Sequence, residues 1–301
     1  MRLNPRVLLA LLSVYLIWGS TYLAMRFAIE AMPPLLMAGV RYVCAGVLIF
    51  VFLCWRGHAL PTKRQWRDAG IVGTLLLLGG NGAVCLALER GVSSGMSALV
   101  VGVTPLFALV FAACWGQRAS WREWLGMLIG LVGLVLLNFG RELSTSPVAG
   151  MLLVFAALSW SFGSIWGKQL DLPSGFMASA LEMMVGGLAL LLVALLRGEA
   201  ITVLPAAKGL WALAYLVFIG AILGFSAYVY LLETVRPALA TSYAYVNPVV
   251  AVGLGVWLGG EQVDAMELIA MAVILAGVVL VCLPRRNVAP LPPPAGAESG
   301  A

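Results

Sequence analysis

The chain has 301 residues, 62% of them hydrophobic and only 10% charged, where a soluble domain carries about 25%. Too few polar residues remain to cover a water-facing surface, so a soluble enzyme or binding domain is excluded and an integral membrane protein is expected. The net charge of +5 does not by itself signal nucleic-acid affinity, because its meaning depends on where the charges lie; no nucleic-acid partner is expected.

A membrane span needs roughly 20 apolar residues. Ten are predicted, at 7–27, 35–55, 69–88, 95–115, 122–139, 149–167, 175–196, 209–232, 239–258 and 265–283. The first runs on into TYLAMRFAIE with no small-residue cleavage site behind it, so it reads as a retained helix rather than a signal peptide. Connections are short and leave no room for a soluble domain. Cys44, Cys54, Cys85, Cys114 and Cys282 lie in or beside apolar runs with no C-x-x-C pair, and are expected to be small core hydrophobes rather than disulfides or metal ligands. Residues 285–301 are rich in Pro, Ala and Gly and read as a disordered tail.

Cation placement sets an orientation. With a cytoplasmic N-terminus, twelve Lys and Arg fall on the inner side and five on the outer, with Arg41 left inside a span. The positive-inside rule then puts both termini in the cytoplasm, and the expected location is the bacterial inner membrane.

The chain also repeats. Trp18 in IWGST and Trp160 in SWSFGS are 142 residues apart, and Arg56-Gly57 recurs 141 residues on as Arg197-Gly198. Pro105 and Pro248 differ by 143, while Gly80 and Gly224, Glu89 and Glu233, and Gly133 and Gly277 each differ by 144. One offset thus aligns spans 1–5 with spans 6–10. Because five is odd, the second copy must sit inverted. The expected fold is an all-α integral membrane protein of ten transmembrane helices in two inverted five-helix repeats, 1–140 and 148–284, an arrangement typical of secondary transporters.

Helical rise places Trp18 roughly 17 Å from the inner end of span 1. Trp160 is a similar distance from the outer end of span 6, Asn81 and Thr104 are near mid-depth, and Asn247 is somewhat closer to the cytoplasm. Polar and aromatic groups of both halves therefore gather near the bilayer centre. Thr104-Pro105 and Asn247-Pro248 each pair a good N-cap with the residue favoured just after it. Each pair is expected to start a half-helix in mid-membrane and to free the carbonyl of Val101 or Ala244. The functional reading is a substrate cavity with paired kinks; a plain proline kink healed by a neighbouring side chain fits the same residues. Trp18, Trp160, Tyr228, Tyr243 and Tyr245 would supply flat walls, also suited to cationic solutes, and Asn81, Thr104 and Asn247 would orient polar groups.

Arg41 lies about 9 Å into span 2 from outside, and Glu182, its partner at offset 141, about 10 Å into span 7 from inside. A charge at depth is costly unless paired or hydrated. Arg41 has Glu30, Glu89 or Glu261 within reach at the outer rim; Glu182 has Lys168, Arg118 or Arg236 at the inner rim. Snorkelling is the alternative for both. Facing the cavity, Glu182 would be the candidate for proton coupling.

Other signals resemble chemistry without supporting it. GVSSG, Gly91 to Gly95, matches G-x-S-x-G, but no strand precedes it, and Ser93 and the sole histidine, His58, fall on opposite faces. No cofactor, metal or catalytic residue is expected. GMLIG at 126–130 and GVWLG at 255–259 match G-x-x-x-G and read as close packing within the bundle or as a dimer face; monomer or weak homodimer is the expectation. An intramembrane enzyme would need a nucleophile or metal site, and a channel an unbroken polar stripe.

YLIWGSTYLAMRFAIEAMPPLLMAGVRY near the start, VGVTPLFALVF in span 4 and PALATSYAYVNPVVAVGLGVWLGGE in span 9 carry a family resemblance. The chain, up to about Pro284, resembles the drug/metabolite transporter superfamily, specifically the EamA-type ten-helix permeases and their YedA-like bacterial branch. The resemblance implies a basket in which spans 1, 3, 4, 6, 8 and 9 surround a central cavity while 5 and 10 are peripheral. It also implies transport, often outward, of small organic metabolites such as amino acids and toxic amphiphiles. Arg41 matches the arginine usual in the second span, Pro105 and Pro248 the family's two prolines, and Glu261 the acidic residue ending span 9. After span 4, where Glu is frequent, WGQR puts Arg118.

Overall fold

A computed structural model describes residues 5–116, 120–137, 146–234 and 243–282. The described residues are helical apart from turns and short connections. Helices α1 (Pro5–Ile29), α2 (Pro34–Trp55), α3 (Lys63–Glu89), α4 (Ser94–Cys114), α5 (Trp121–Leu137), α6 (Pro147–Gly167) and α7 (Phe176–Leu196) are followed by α8 (207–234), α9 (Tyr243–Gly259) and α10 (Ala265–Cys282). Seven of these are long and apolar enough to cross a membrane. The outward faces of the helices carry large apolar side chains, among them Leu9, Leu16, Val51, Leu192 and Trp257, as lipid contact requires.

Helix α3 begins six residues before the predicted span. KRQWRD at its start is too polar for a hydropathy window, but Thr62 and Gln65 close a reciprocal capping box there. The middle of α3, Thr74–Gly82, and of α8, Leu216–Leu223, winds as π-helix. These wide turns occupy equivalent places under the sequence repeat.

Packing follows the same equivalence. Helix α2 lies along α7 and α5 along α10; α1 rests on α8 and α9 as α6 rests on α3 and α4. The first pair is antiparallel. Gly39 faces Leu191, Val43 faces Gly187 and Gly46 faces Met184, with approaches so close that a Cβ on Gly39 would stand 2.6 Å from Leu191 Cδ2. In the second pair Gly133 faces Ile274, and a Cβ on Gly277 would stand 2.6 Å from Gly126 O. GMLIG is thus spent inside the bundle, against α10. The other G-x-x-x-G is internal too: Gly255 abuts Glu261 and Gly259 abuts Leu23. The α5–α10 pair touches the rest chiefly through α4 and α9.

Cysteines depart from expectation. Cys85 is buried, but Cys44 and Cys114 sit on exposed helix faces and Cys54 is half-buried; all four are free. In lipid a thiol is apolar enough for an outer face. The Cys282 side chain and the predicted tail lie outside the described residues.

Candidate functional site

Trp18 is the hub of an aromatic cluster. Its ring centroid is 4.7 Å from that of Tyr243, 5.1 Å from Tyr228 and 5.8 Å from Phe225, and the two tyrosine rings are 5.5 Å apart. Three of these contacts are edge-to-face, the arrangement the ring quadrupoles favour. The cluster joins α1, α8 and α9. It is held because Trp18 Nε1 donates to Gly220 O at 3.3 Å, in the π turn of α8. Gly224 makes room: a Cβ there would stand 2.6 Å from Trp18 Nε1.

The repeat partner of Trp18 is seated the same way in the other half. A Cβ on Gly80 would stand 2.9 Å from Trp160 Cε3. Ser159 Oγ donates to Leu75 O at 2.7 Å, again in a π turn. Asn81 follows Gly80 and its Oδ1 lies 3.9 Å from Cys85 Sγ. Trp160 therefore sits in the α3–α6 contact, and Asn81 lies one residue along α3 from the glycine beneath it.

The prolines behave differently in the two halves. Helix α4 does break, at Gly102-Val103, and resumes at Thr104. Thr104 is not its cap, however: that place falls to Val103, without a side-chain bond, and the Thr104 hydroxyl turns back to Val101 O. The carbonyl freed by Pro105 is thus satisfied within α4. Helix α9 runs unbroken through Asn247-Pro248, so the expected second half-helix start is corrected. The breaker in α4 is a glycine, Gly102, next to the proline turn; the equivalent place in α9 is Tyr245. A Cβ on Gly102 would stand 3.2 Å from Pro248 Cγ, so the two proline segments cross each other there.

Carbonyls ahead of the prolines face equivalent residues. Thr104 O accepts Ser161 Oγ at 2.9 Å. Asn247 O lies 3.4 Å from the Cβ position of Gly19, the repeat partner of Ser161, which has no hydroxyl to give. Asn247 is buried and its Oδ1 meets no hydrogen-bond donor among the described residues. The Tyr245 side chain lies outside the described residues.

The charged pairs expected for Arg41 are not formed. Glu30 is held by Lys208 at 3.0 Å, Glu89 faces Arg197 at 3.4 Å, and Glu261 pairs with Arg26 at 2.7 Å. Glu261 also accepts from Ser94 N at 2.7 Å and Gly95 N at 3.1 Å, tying the α9–α10 turn to the start of α4. A carboxylate at a helix N-terminus is favourable on both charge and hydrogen-bonding grounds. Arg41 itself is buried, not snorkelled, and its Nε and Nη1 meet no acceptor among the described residues. Glu182 makes no ion pair among the described residues; Arg118 and Arg236 lie outside them.

Ser93 is a helix cap: its Oγ accepts from Met96 N at 3.1 Å. That, with the positive φ of +87° at Gly91, accounts for GVSSG as a turn into α4. A groove of about 480 Å³ opens between α3, α6 and α7, lined by Trp66, Arg67, Thr74, Leu75, Trp166 and Val185. None of the predicted site residues lines it. Sequence reading missed Phe225, Gly220, Thr21 and Ser161. Of these Ser161 alone had a usable signal, standing one residue after Trp160 as Gly19 stands after Trp18.

This chain resembles several known proteins. It is 47% identical over 274 residues to the uncharacterized inner membrane transporter YedA of Escherichia coli (strain K12), covering 91% of this chain and 90% of the relative. The probable amino-acid metabolite efflux pump of Salmonella typhimurium is 25% identical, over 90% of this chain and 93% of its own. A solved crystal structure at 22% identity superposes with a TM-score of 0.65 over 91% of this chain and 96% of that one, a likeness of fold. The EamA-like transporter family matches twice in succession, at residues 5–139 and 148–283, which together span most of the sequence. The chain belongs to the EamA-like transporter family.

Proposed function

We propose that this protein is a secondary transporter, in the exporting direction, for small organic metabolites of amphipathic or amino-acid-like character. It would work by alternating access between two inverted halves, ten transmembrane helices in all, in the bacterial inner membrane with both termini cytoplasmic. The observation that carries the reading is the antiparallel contact of equivalent helices, α2 on α7 and α5 on α10. Helices related by one sequence offset yet running in opposite directions are what a twofold axis in the membrane plane produces. Under that axis each half can adopt the conformation of the other, so an outward opening has an inward counterpart. The paired π turns and the double family match support the same axis.

The aromatic cluster around Trp18 supplies a face for a flat or apolar solute body, and Asn247, with its unmet Oδ1, supplies a polar group beside it. Relatives named as an inner membrane transporter and an amino-acid metabolite efflux pump support membrane and solute class. Glu182 is the candidate for proton coupling, because it lies within α7 without an ion pair among the described residues. The test is flux in sealed vesicles with a panel of amino acids and amphiphiles under proton gradients of both signs. Accumulation or efflux of at least one class above protein-free vesicles is expected. A folded protein that moves none under either gradient would overturn the proposal.

A further inference from the structure

Arg41 is a buried cation whose hydrogen-bonding chemistry the described residues leave open, close to the aromatic cluster. It is 5% exposed, and two of its nitrogens, Nε and Nη1, are buried without an acceptor. The third, Nη2, reaches to 3.4 Å from where a Cβ on Gly220 would stand, and Thr21 Cγ2 comes to 3.1 Å of the same point. Gly220 is the residue whose carbonyl holds Trp18, so guanidinium and indole both approach one residue of α8. The Tyr42 ring lies 4.6 Å under the guanidinium carbon. That contact offers no oxygen acceptor to the N–H groups. A guanidinium has five donors and no acceptor capacity, and it keeps its charge in proteins. A cation so placed costs the fold free energy unless something with oxygen acceptors and negative charge joins it. Glu30, Glu89 and Glu261 pair with other cations, and Glu199, at the start of α2, accepts from Leu35 N and Leu36 N and faces Arg197 at 3.6 Å.

We propose that Arg41 is the anion-recognition residue of the transport site, taking the carboxylate of a solute whose apolar body rests against Trp18, Tyr228 and Tyr243. This rests on the transport reading and narrows it: the preferred solutes carry a carboxylate, and purely cationic amphiphiles are disfavoured. Glycine at 220 is part of the site, because its absent side chain is the space the guanidinium enters.

The test measures binding, not flux. Purified protein in detergent is titrated with matched pairs, phenylacetate against phenylacetamide and L-phenylalanine against its amide, following tryptophan fluorescence. A charge-assisted pair should favour each carboxylate by about tenfold or more. In Arg41→Met that preference should vanish while the thermal midpoint without ligand stays level or rises, since an unpaired buried charge has been removed. Arg41→Lys should keep part of the preference. Equal binding of both members, binding of neither, or a preference that survives Arg41→Met would overturn the proposal. Should Arg41→Met fail to fold, the wild-type pairs decide alone. Carboxylate preference without flux sinks the transport reading and leaves this site standing. Flux that treats amide and carboxylate alike does the reverse.

Discussion

Trp18 and Trp160 occupy equivalent places yet keep different company. Around Trp18 stand Phe225, Tyr228 and Tyr243. At the equivalent positions beside Trp160, offsets of 144 and 143 put Asn81, Val84 and Val100. The backbone beneath is shared: a π turn, a glycine under the indole, and the carbonyl ahead of a proline facing the next residue. The contrast separates two jobs. Symmetry of the main chain is what an exchange of conformations needs, whereas selectivity needs side chains, and those differ between the halves. Arg41, beside Gly220 of α8, and its repeat partner Glu182, whose backbone lies against Gly73 of α3, extend the difference to charge.

The comparison can be broken most forcefully at the indoles. Trp18→Ala removes three ring contacts and the bond to Gly220 O. It should cost about 3–5 kcal/mol by thermal or denaturant unfolding and abolish solute-dependent fluorescence change. Trp160→Ala should lower stability by a similar amount while leaving the relative affinity for a panel of solutes unchanged. If Trp160→Ala alters selectivity as much as Trp18→Ala, the division of labour is wrong.

The supporting glycines sharpen it at smaller cost. A methyl at Gly224 would crowd Trp18 Nε1, and one at Gly80 would crowd Trp160 Cε3. Overpacking of this kind costs about 1–3 kcal/mol. Both alanine variants should therefore melt lower, but only Gly224→Ala should weaken solute binding. Smallest is Ser161→Ala, which removes one bond to Thr104 O. A loss of about 1 kcal/mol in unfolding is expected. Gly19→Ala, its counterpart, should cost more, because its methyl would stand 2.6 Å from Val250 Cβ. Equal effects at the two positions would mean the crossings are not built as described.

Much of this was legible in the residues. Hydropathy located the helices to within a few residues because lipid imposes a minimum apolar length, and failed at α3 because a capped polar turn extends the helix beyond the apolar stretch. The repeat offset matches Trp18 with Trp160 and Gly224 with Gly80, and the structure makes equivalent contacts between them: Trp18 with Gly224, Trp160 with Gly80. Two things were illegible. Phe225 and Gly220 stand in an apolar run where nothing marks one residue over another, and only the placement of α8 against α1 selects them. The prolines alone predict a break in both helices, whereas only α4 breaks, at Gly102-Val103. A proline within a packed membrane helix is tolerated when neighbours satisfy the freed groups, and glycine beside it tips the balance.

The central claim is that the two halves run in opposite directions through the bilayer. Single cysteines at Leu60, in the α2–α3 connection, and at Val203, in the equivalent α7–α8 connection, test it directly, because both side chains are exposed, at 73% and 78%. In a background with the native cysteines replaced, intact spheroplasts are treated with a membrane-impermeant thiol reagent and then again after lysis. The account predicts labelling of Val203→Cys in intact cells and of Leu60→Cys only after lysis. Labelling of both positions from the same side would contradict it.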